Sequence, residues 1–339
     1  MYTRCAILAL ASLAVVNARS LLPSLTVTYN LIASHVGHDF LDNYSWETAD
    51  DPTHGRVNFV DQATALKNNL TFVSDSKLVM RADDMNKVAK SARGRDSVRI
   101  HSKAAYDDVL LVLDIAHMPE GCSTWPAWWT LSQQGPWPNG GEIDILEGVN
   151  LGQANLASLH TTPNCTMPQD RLQKGKTQST SCDASMNSNQ GCGVSFPEQD
   201  SFGASFNAGG GGLYIMEKSS QKGVSVWFIS RSNLMQVNSD EVILDMMDLF
   251  TPDAYFPMQS NESPHDNCDY SEHFNAHSIV IDLTLCGDWA GSESVWNTST
   301  CAAKASTCES FVDNNPHEFA DAYWEINSLK IYTPTGILP

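Results

Sequence analysis

Hydrophobic and polar positions alternate along this chain in short bursts rather than in helical stripes. Leu70-Thr-Phe-Val73, Leu78-Val-Met80, Val98-Arg-Ile100, Val109-Leu-Leu-Val-Leu-Asp114, Leu213-Tyr-Ile-Met216 and Val224-Ser-Val-Trp-Phe-Ile229 are β-branched or aromatic runs bounded by Gly, Pro, Asn and Asp. Successive strand residues face opposite sides, so such runs predict the antiparallel strands of a β-sandwich. Helical periodicity of four turns or more is missing outside the leader, with one short helical stretch over residues 301–312. Residues 166–208 are rich in Gly, Ser, Asn and Gln and hold Cys182 and Cys192, which predicts long surface loops pinned by disulfides rather than a linker. No boundary, repeat or low-complexity tail interrupts the pattern. The chain reads as one nearly all-β domain over residues 19–339.

The 339 residues are 42% hydrophobic and only 17% charged, too apolar for a disordered chain. With 20 basic and 39 acidic residues the net charge is −19, and no Lys/Arg run is present. Phosphate backbones and anionic membrane surfaces are repelled, so neither nucleic acid nor a membrane is an expected partner.

Residues 1–18 read as a secretory signal: Arg4 is the positive region, Cys5 to Val16 the apolar one, and Val16-Asn17-Ala18 the cleavage signature. The apolar run is shorter than the roughly 20 residues of a membrane span. Residues 332–339 lack the hydrophobic tail of a lipid-anchor signal. The expected product is a soluble, secreted, extracellular monomer. Of nine cysteines, Cys5 leaves with the signal, and the other eight predict four disulfides in an oxidising compartment. Proximity suggests Cys182 with Cys192 and Cys301 with Cys308 without deciding the connectivity. Asn43, Asn69, Asn164, Asn261 and Asn297 stand in glycosylation sequons.

The densest chemistry lies in Gly141-Glu-Ile-Asp-Ile-Leu-Glu-Gly148. Period-two alternation puts Glu142 and Asp144 on one strand face and Ile143 and Ile145 on the other. A regular strand would turn Glu147 to the wrong face, whereas one extra residue, a β-bulge around Ile145-Leu146, returns it to the two acids. On a helix the glutamates would diverge by about 140°. A solvated strand edge would also tolerate acids, but the apolar partners and the aromatic cluster Trp125-Pro-Ala-Trp-Trp129 with Trp137-Pro138 indicate a cleft floor. Glycosidic cleavage requires such a carboxyl pair, one attacking and one donating a proton. The bulge leaves the glutamate Cα atoms roughly 13 Å apart along the strand. Leaning side chains could then close to the roughly 5–5.5 Å of a retaining glycosidase. Asp144 would share a hydrogen bond with Glu142 and tune both acids.

This strand resembles the signature of glycoside hydrolase family sixteen in its bulged, laminarinase-like form. Similarity to fungal endo-β-1,3(4)-glucanases of that family extends through Asp51-Pro-Thr-His-Gly55, Ser97-Val-Arg-Ile100, His117-Met-Pro-Glu-Gly-Cys122, Thr124-Trp-Pro-Ala-Trp-Trp-Thr130, Trp137-Pro-Asn-Gly-Gly141, Leu159-His-Thr161, Cys286-Gly-Asp-Trp-Ala-Gly291 and Ala322-Tyr-Trp-Glu-Ile-Asn327. The resemblance implies a concanavalin-like β-jelly roll with a concave cleft, and retaining hydrolysis of β-glucan. It makes Glu142 the nucleophile, Glu147 the acid/base and Asp144 the assisting acid. It also implies that Trp129, Trp137 and Trp289 are sugar-binding aromatics, that His160 stands beside the acid/base, and that Arg99 contacts substrate. Trp227 and Trp324, in alternating apolar strands, are expected in the core.

Competing chemistry is weakly represented. Gly175-Lys-Thr177 lacks the preceding glycine of a phosphate loop, Gly209 to Gly212 fits no dinucleotide pattern, and GxSxG and HExxH are absent. No cofactor and no catalytic metal are expected. A non-catalytic glucan-binding lectin could dispense with the two glutamates, and this chain has both. A glucan transglycosylase would share the same covalent intermediate.

Overall fold

The computed structural model describes residues 27–234, 250–258 and 267–337. The signal-peptide reading of residues 1–18 and the Asn261 sequon lie outside them. Two eight-stranded, largely antiparallel sheets pack face to face, the jelly-roll sandwich expected from the strand pattern. One sheet runs in the order Lys176–Thr177, Val194–Ser195, Leu156–His160, Glu142–Glu147, Thr124–Ser132, His277–Leu285, Arg99–Tyr106 and Tyr44–Trp46. The other is built around Val109–His117 and Tyr323–Ile337, with Gly212–Ser219 and Gly223–Ser230 on one flank and Lys77–Arg81 and Thr71–Ser74 on the other.

Period two decides which side chains fill the space between the sheets. Ile100, Trp128, Ile143, Ile145, Ile279 and Ile281 from the first sheet meet Leu111, Leu113, Ile115, Tyr214 and Met216 from the second. Full burial of each such side chain stabilises the fold by about 1.5–3 kcal/mol. The alternate residues Ala127, Trp129 and Val280 form a separate cluster on the outer face of the first sheet, the face that carries the acids. Trp324 lies in the main core as expected. Trp227 is buried too, but against Leu110, Val112 and Ile215 on the far side of the second sheet.

Among the described residues helix is more frequent than the sequence pattern predicts, though always short. The expected stretch over 301–312 resolves into a 3₁₀ turn at Thr300–Ala303 and the helix Cys308–Asn314, and further single-turn helices include Asp39–Asn43, Gln62–Lys67 and Glu293–Thr298. Among the described residues, no helix is long and apolar enough to cross a membrane.

The eight cysteines form four disulfides, Cys122–Cys301, Cys165–Cys268, Cys182–Cys192 and Cys286–Cys308. Proximity thus identifies Cys182–Cys192 and misleads for Cys301, whose neighbour Cys308 pairs elsewhere. The sequon asparagines Asn43, Asn69, Asn164 and Asn297 are all exposed.

Candidate active site

The acidic strand Glu142–Glu147 is launched by two left-handed glycines, Gly140 (φ 76°) and Gly141 (φ 82°). A Cβ on Gly141 would lie 2.6 Å from the Phe274 ring, so only glycine fits this turn. The buried His277 holds it from beneath, Nε2 donating to the Gly140 carbonyl at 2.7 Å while Nδ1 faces the Thr130 hydroxyl at 2.9 Å.

The strand then carries the bulge. Against Thr124–Ser132, Asp144 is opposite Trp129 but Leu146 is opposite Trp128, so Ile145 is the extra residue. Beyond it Glu147 faces Ala127. Residues directly opposite share a face, so Glu142 with His160, Asp144 with Trp129, and Glu147 with Ala127 and Asp282 all line the concave side. Ile143, Ile145 and Leu146 are fully buried on the other.

Each glutamate is held by an indole. Trp137 Nε1 donates to Glu142 Oε2 at 2.9 Å, and Trp125 Nε1 donates to Glu147 Oε1 at 2.7 Å. Trp137 remains 45% exposed, with a ring face free to receive a ligand. Beside it opens a cavity of about 440 Å³ lined by His101, Leu131, Gln133, Trp137 and Asn139. At the Glu147 end, Trp289 meets Trp125 edge-on with ring centroids 5.6 Å apart. Aromatic surface therefore flanks the carboxyl pair at both ends of the cleft.

Asp144 is 4% exposed, and its partner is His160, with Oδ2 3.3 Å from Nε2; this contact replaces the hydrogen bond to Glu142 expected from sequence. His160 stands opposite Glu142 in the sheet, at the other end of the acid row from Glu147. Its Nδ1 faces the Asn189 side-chain oxygen at 2.8 Å. Both ring nitrogens thus face acceptors, the environment of an imidazolium. Glu142, Asp144 and His160 place donor atoms within 4.8 Å of one another, a grouping a cation could occupy, but a protonated His160 ion-paired with Asp144 offers no free lone pair.

Burial and the three acids set the protonation. Burial first, and the charge of Asp144 second, push the Glu142 carboxyl up to about 7, against the pull of His160, the Trp137 N–H and Arg99. Burial and Asp144 hold Glu147 well above the ordinary carboxylate range, with the Trp125 N–H and His160 pulling the other way. Burial opposes a charge on His160, but the hydrogen bond to Asp144 and the charges of Asp144 and Glu142 overcome it and raise the imidazole to about 10.

Arg99 sits three strands from the acidic strand in the same sheet, 3.6 Å from the buried Asp282 carboxylate and stacked 4.8 Å above the Trp129 ring. Asp282 also accepts from Trp129 Nε1 at 3.3 Å, and burial pushes it up to about 7 against the Arg99 charge. Arg99 and Trp129 therefore form one braced unit on the cleft floor. Trp125 belongs to the aromatic cluster expected on the cleft floor, but its tie to Glu147 is not legible in the sequence, and neither Asn189 nor Asp282 is among the expected site residues. Asp282 was detectable there as a lone acid in the apolar run Ile279-Val-Ile-Asp-Leu283; the others act through contacts between distant segments.

Residues 44–332 match the family profile described as XgeA-like, catalytic GH16 domain. A probable glycosidase of Schizosaccharomyces pombe is 39% identical over 308 residues, covering 90% of this chain and 69% of that protein. A probable endo-1,3(4)-beta-glucanase of Aspergillus fumigatus is 37% identical over 324 residues, 94% of this chain and 47% of that protein. The chain thus spans about half the length of such Aspergillus relatives. Among solved structures, laminarinase 16A from Phanerochaete chrysosporium superposes with a TM-score of 0.81 and 44% identity over 90% of this chain and 99% of that one. An elongating family 16 β-1,3-glucosyltransferase superposes with a TM-score of 0.78 and 36% identity over 90% and 100%.

Proposed function

This chain belongs to glycoside hydrolase family sixteen, and we propose that it is a secreted endo-β-1,3(4)-glucanase that cleaves β-glucan with retention of configuration. The observation that carries the reading is the bulge at Ile145, which gathers Glu142, Asp144 and Glu147 on one cleft face between aromatic rings. A neutral glucan presents C–H faces and hydroxyls, and exposed indole with a few carboxyls and amides complements both.

In this mechanism Glu147, which burial and the neighbouring charge keep protonated, donates to the leaving glycosidic oxygen. Glu142 attacks the anomeric carbon as that bond breaks, forming a covalent glycosyl-enzyme. The Trp137 N–H and the His160 charge favour its ionised form. Glu147, now ionised, takes a proton from water, which displaces Glu142 and restores both groups. Asp144 keeps His160 charged and, by its own charge, resists ionisation of both glutamates. Trp137 and Trp289 bind sugar rings, while Trp129, 9% exposed beneath the Arg99 guanidinium, braces the cleft floor instead of stacking on sugar.

The apolar leader, four disulfides and exposed sequons support secretion, and a cleft completed within one chain supports action as a monomer. Glucan transfer is the second reading, favoured by the similarity to an elongating glucosyltransferase and by the Trp125–Trp289 pair beyond Glu147, where an acceptor sugar can stack. A lectin role gives no reason for two half-buried glutamates each held by an indole. The test is a product time course on laminarin, lichenan and carboxymethylcellulose. Early internal cuts in laminarin support the reading, longer products favour transfer, and binding without cleavage of any of the three refutes catalysis.

A further inference from the structure

The bulge that aims Glu147 breaks the backbone ladder beside it. The strand Glu142–Glu147 pairs with Leu156–His160 only through Glu142, Ile143 and Asp144. Past that point the Ile145 carbonyl and the Glu147 amide have no strand partner on this side, although Ile145 is fully buried. One side chain supplies what the missing strand would have given. Asn155 Nδ2 donates to the Ile145 carbonyl at 2.9 Å, and Asn155 Oδ1 accepts the Glu147 N–H at 2.9 Å. A primary carboxamide carries an acceptor oxygen and N–H donors on one small group, so this single side chain satisfies both backbone groups across the bulge.

Asn155 is fully buried, and its own main chain is fixed elsewhere. Its N–H donates to Ser201 Oγ at 3.0 Å, its carbonyl accepts from Phe196 N at 2.9 Å, and Ser201 Oγ donates onward to the Glu198 carbonyl at 2.6 Å. The main chain that carries this side chain is thereby held from behind. Trp125 holds the Glu147 carboxyl from the opposite side. A carboxyl gripped at its tip and at its own backbone amide has few positions left to it.

We propose that Asn155 is a positioning residue for catalysis: by bridging the two sides of the Ile145 bulge it fixes where the Glu147 carboxyl delivers its proton. This rests on the reading of Glu147 as acid/base. Asn155 touches no substrate, so its loss should impair proton delivery rather than binding. Proton donation matters in proportion to the basicity of the leaving group, and a dinitrophenolate leaves without it. The second-order constant kcat/KM reports the first bond-breaking step for both kinds of substrate.

The experiment compares wild type, Asn155→Ala, Asn155→Asp and Glu147→Gln on laminarin and on a 2,4-dinitrophenyl β-laminaribioside. For Asn155→Ala, kcat/KM on laminarin should fall roughly 10²-fold, within the usual range for a misplaced general acid, while the activated substrate loses less than about threefold. Asn155→Asp keeps the acceptor for the Glu147 N–H and loses the donor to the Ile145 carbonyl, so it should show the same split to a smaller degree. If Asn155→Ala does not accumulate as folded protein, the nearly isosteric Asn155→Asp carries the decision. Equal losses on the two substrates, or no loss on either, overturn the positioning role. Glu147→Gln separates the two levels. If it shows no split, the acid/base reading itself fails; if it shows the split and the Asn155 variants do not, only the present inference fails.

Discussion

Asp144 and His160 lie on adjacent strands with Oδ2 3.3 Å from Nε2, both nearly buried. Their pairing leaves Glu142, immediately across from His160, as a carboxyl that meets a cation and an anion at once.

Replacing His160 by Gln removes a cation whose proton the fold binds more tightly than the unfolded chain does, about 10 against an ordinary 6.5. The stabilisation is therefore complete below pH 6.5 and is lost as pH rises through about 10. The Tm penalty of His160→Gln should be largest below pH 6.5 and should shrink toward pH 10. Without the cation Glu142 ionises later, so the acidic limb of kcat/KM should move to higher pH. A penalty that grows with pH would contradict a charged His160.

Glu142→Gln and Glu147→Gln should each lower hydrolysis by roughly 10³-fold or more while the protein stays folded. Stability should move the other way. The Glu142 proton is held to about 7 against an ordinary 4.5, so its favourable contribution is complete below pH 4.5 and gone above about 7, where the fold bears a buried charge. Thermal melts should show Glu142→Gln more stable than wild type at pH 8 by on the order of 1–3 kcal/mol, with the gap closing by about pH 4.

The first product of cleavage should carry the β-anomeric configuration, seen by NMR within the first minutes before mutarotation. Azide should rescue Glu142→Ala through an inverted glycosyl azide. An initial α-anomer would refute both the nucleophile assignment and the shared-face geometry.

Strand register offers an independent check. Deleting Ile145 removes the extra residue and leaves all three acids alternating onto one face, so measurable activity should survive. Inserting an alanine after Ile145 should turn Glu147 toward the core and abolish turnover. Activity assays on the two folded variants, with circular dichroism to confirm the fold, decide between these outcomes.

The bulge and the face of Glu147 were legible in the sequence because strand alternation is a strict local rule and the violation falls within six residues. The sandwich was legible for the same reason. The partners of the acids were not. Trp125, Asn155, Asn189 and Asp282 reach the site from separate strands and loops, and local periodicity carries no record of which loop closes over which strand. Single-turn helices such as Gln62–Lys67 are too short to register a 3.6-residue period. Proximity is a poor guide at Cys301 because its partner Cys122 is brought alongside from 179 residues earlier, while Cys308 pairs with Cys286.

That last bridge interlocks with its neighbour. Cys122–Cys301 and Cys286–Cys308 overlap between residues 286 and 301, so every peptide bond from 122 to 308 is spanned by at least one of them. A protease that cuts once anywhere in this interval leaves two pieces that are still one covalent molecule. Both glutamates and Trp125, Trp137 and Trp289 fall within it. In surroundings rich in hydrolytic enzymes, a single nick cannot carry one half of the cleft away from the other; separation demands a reductant or a second cut.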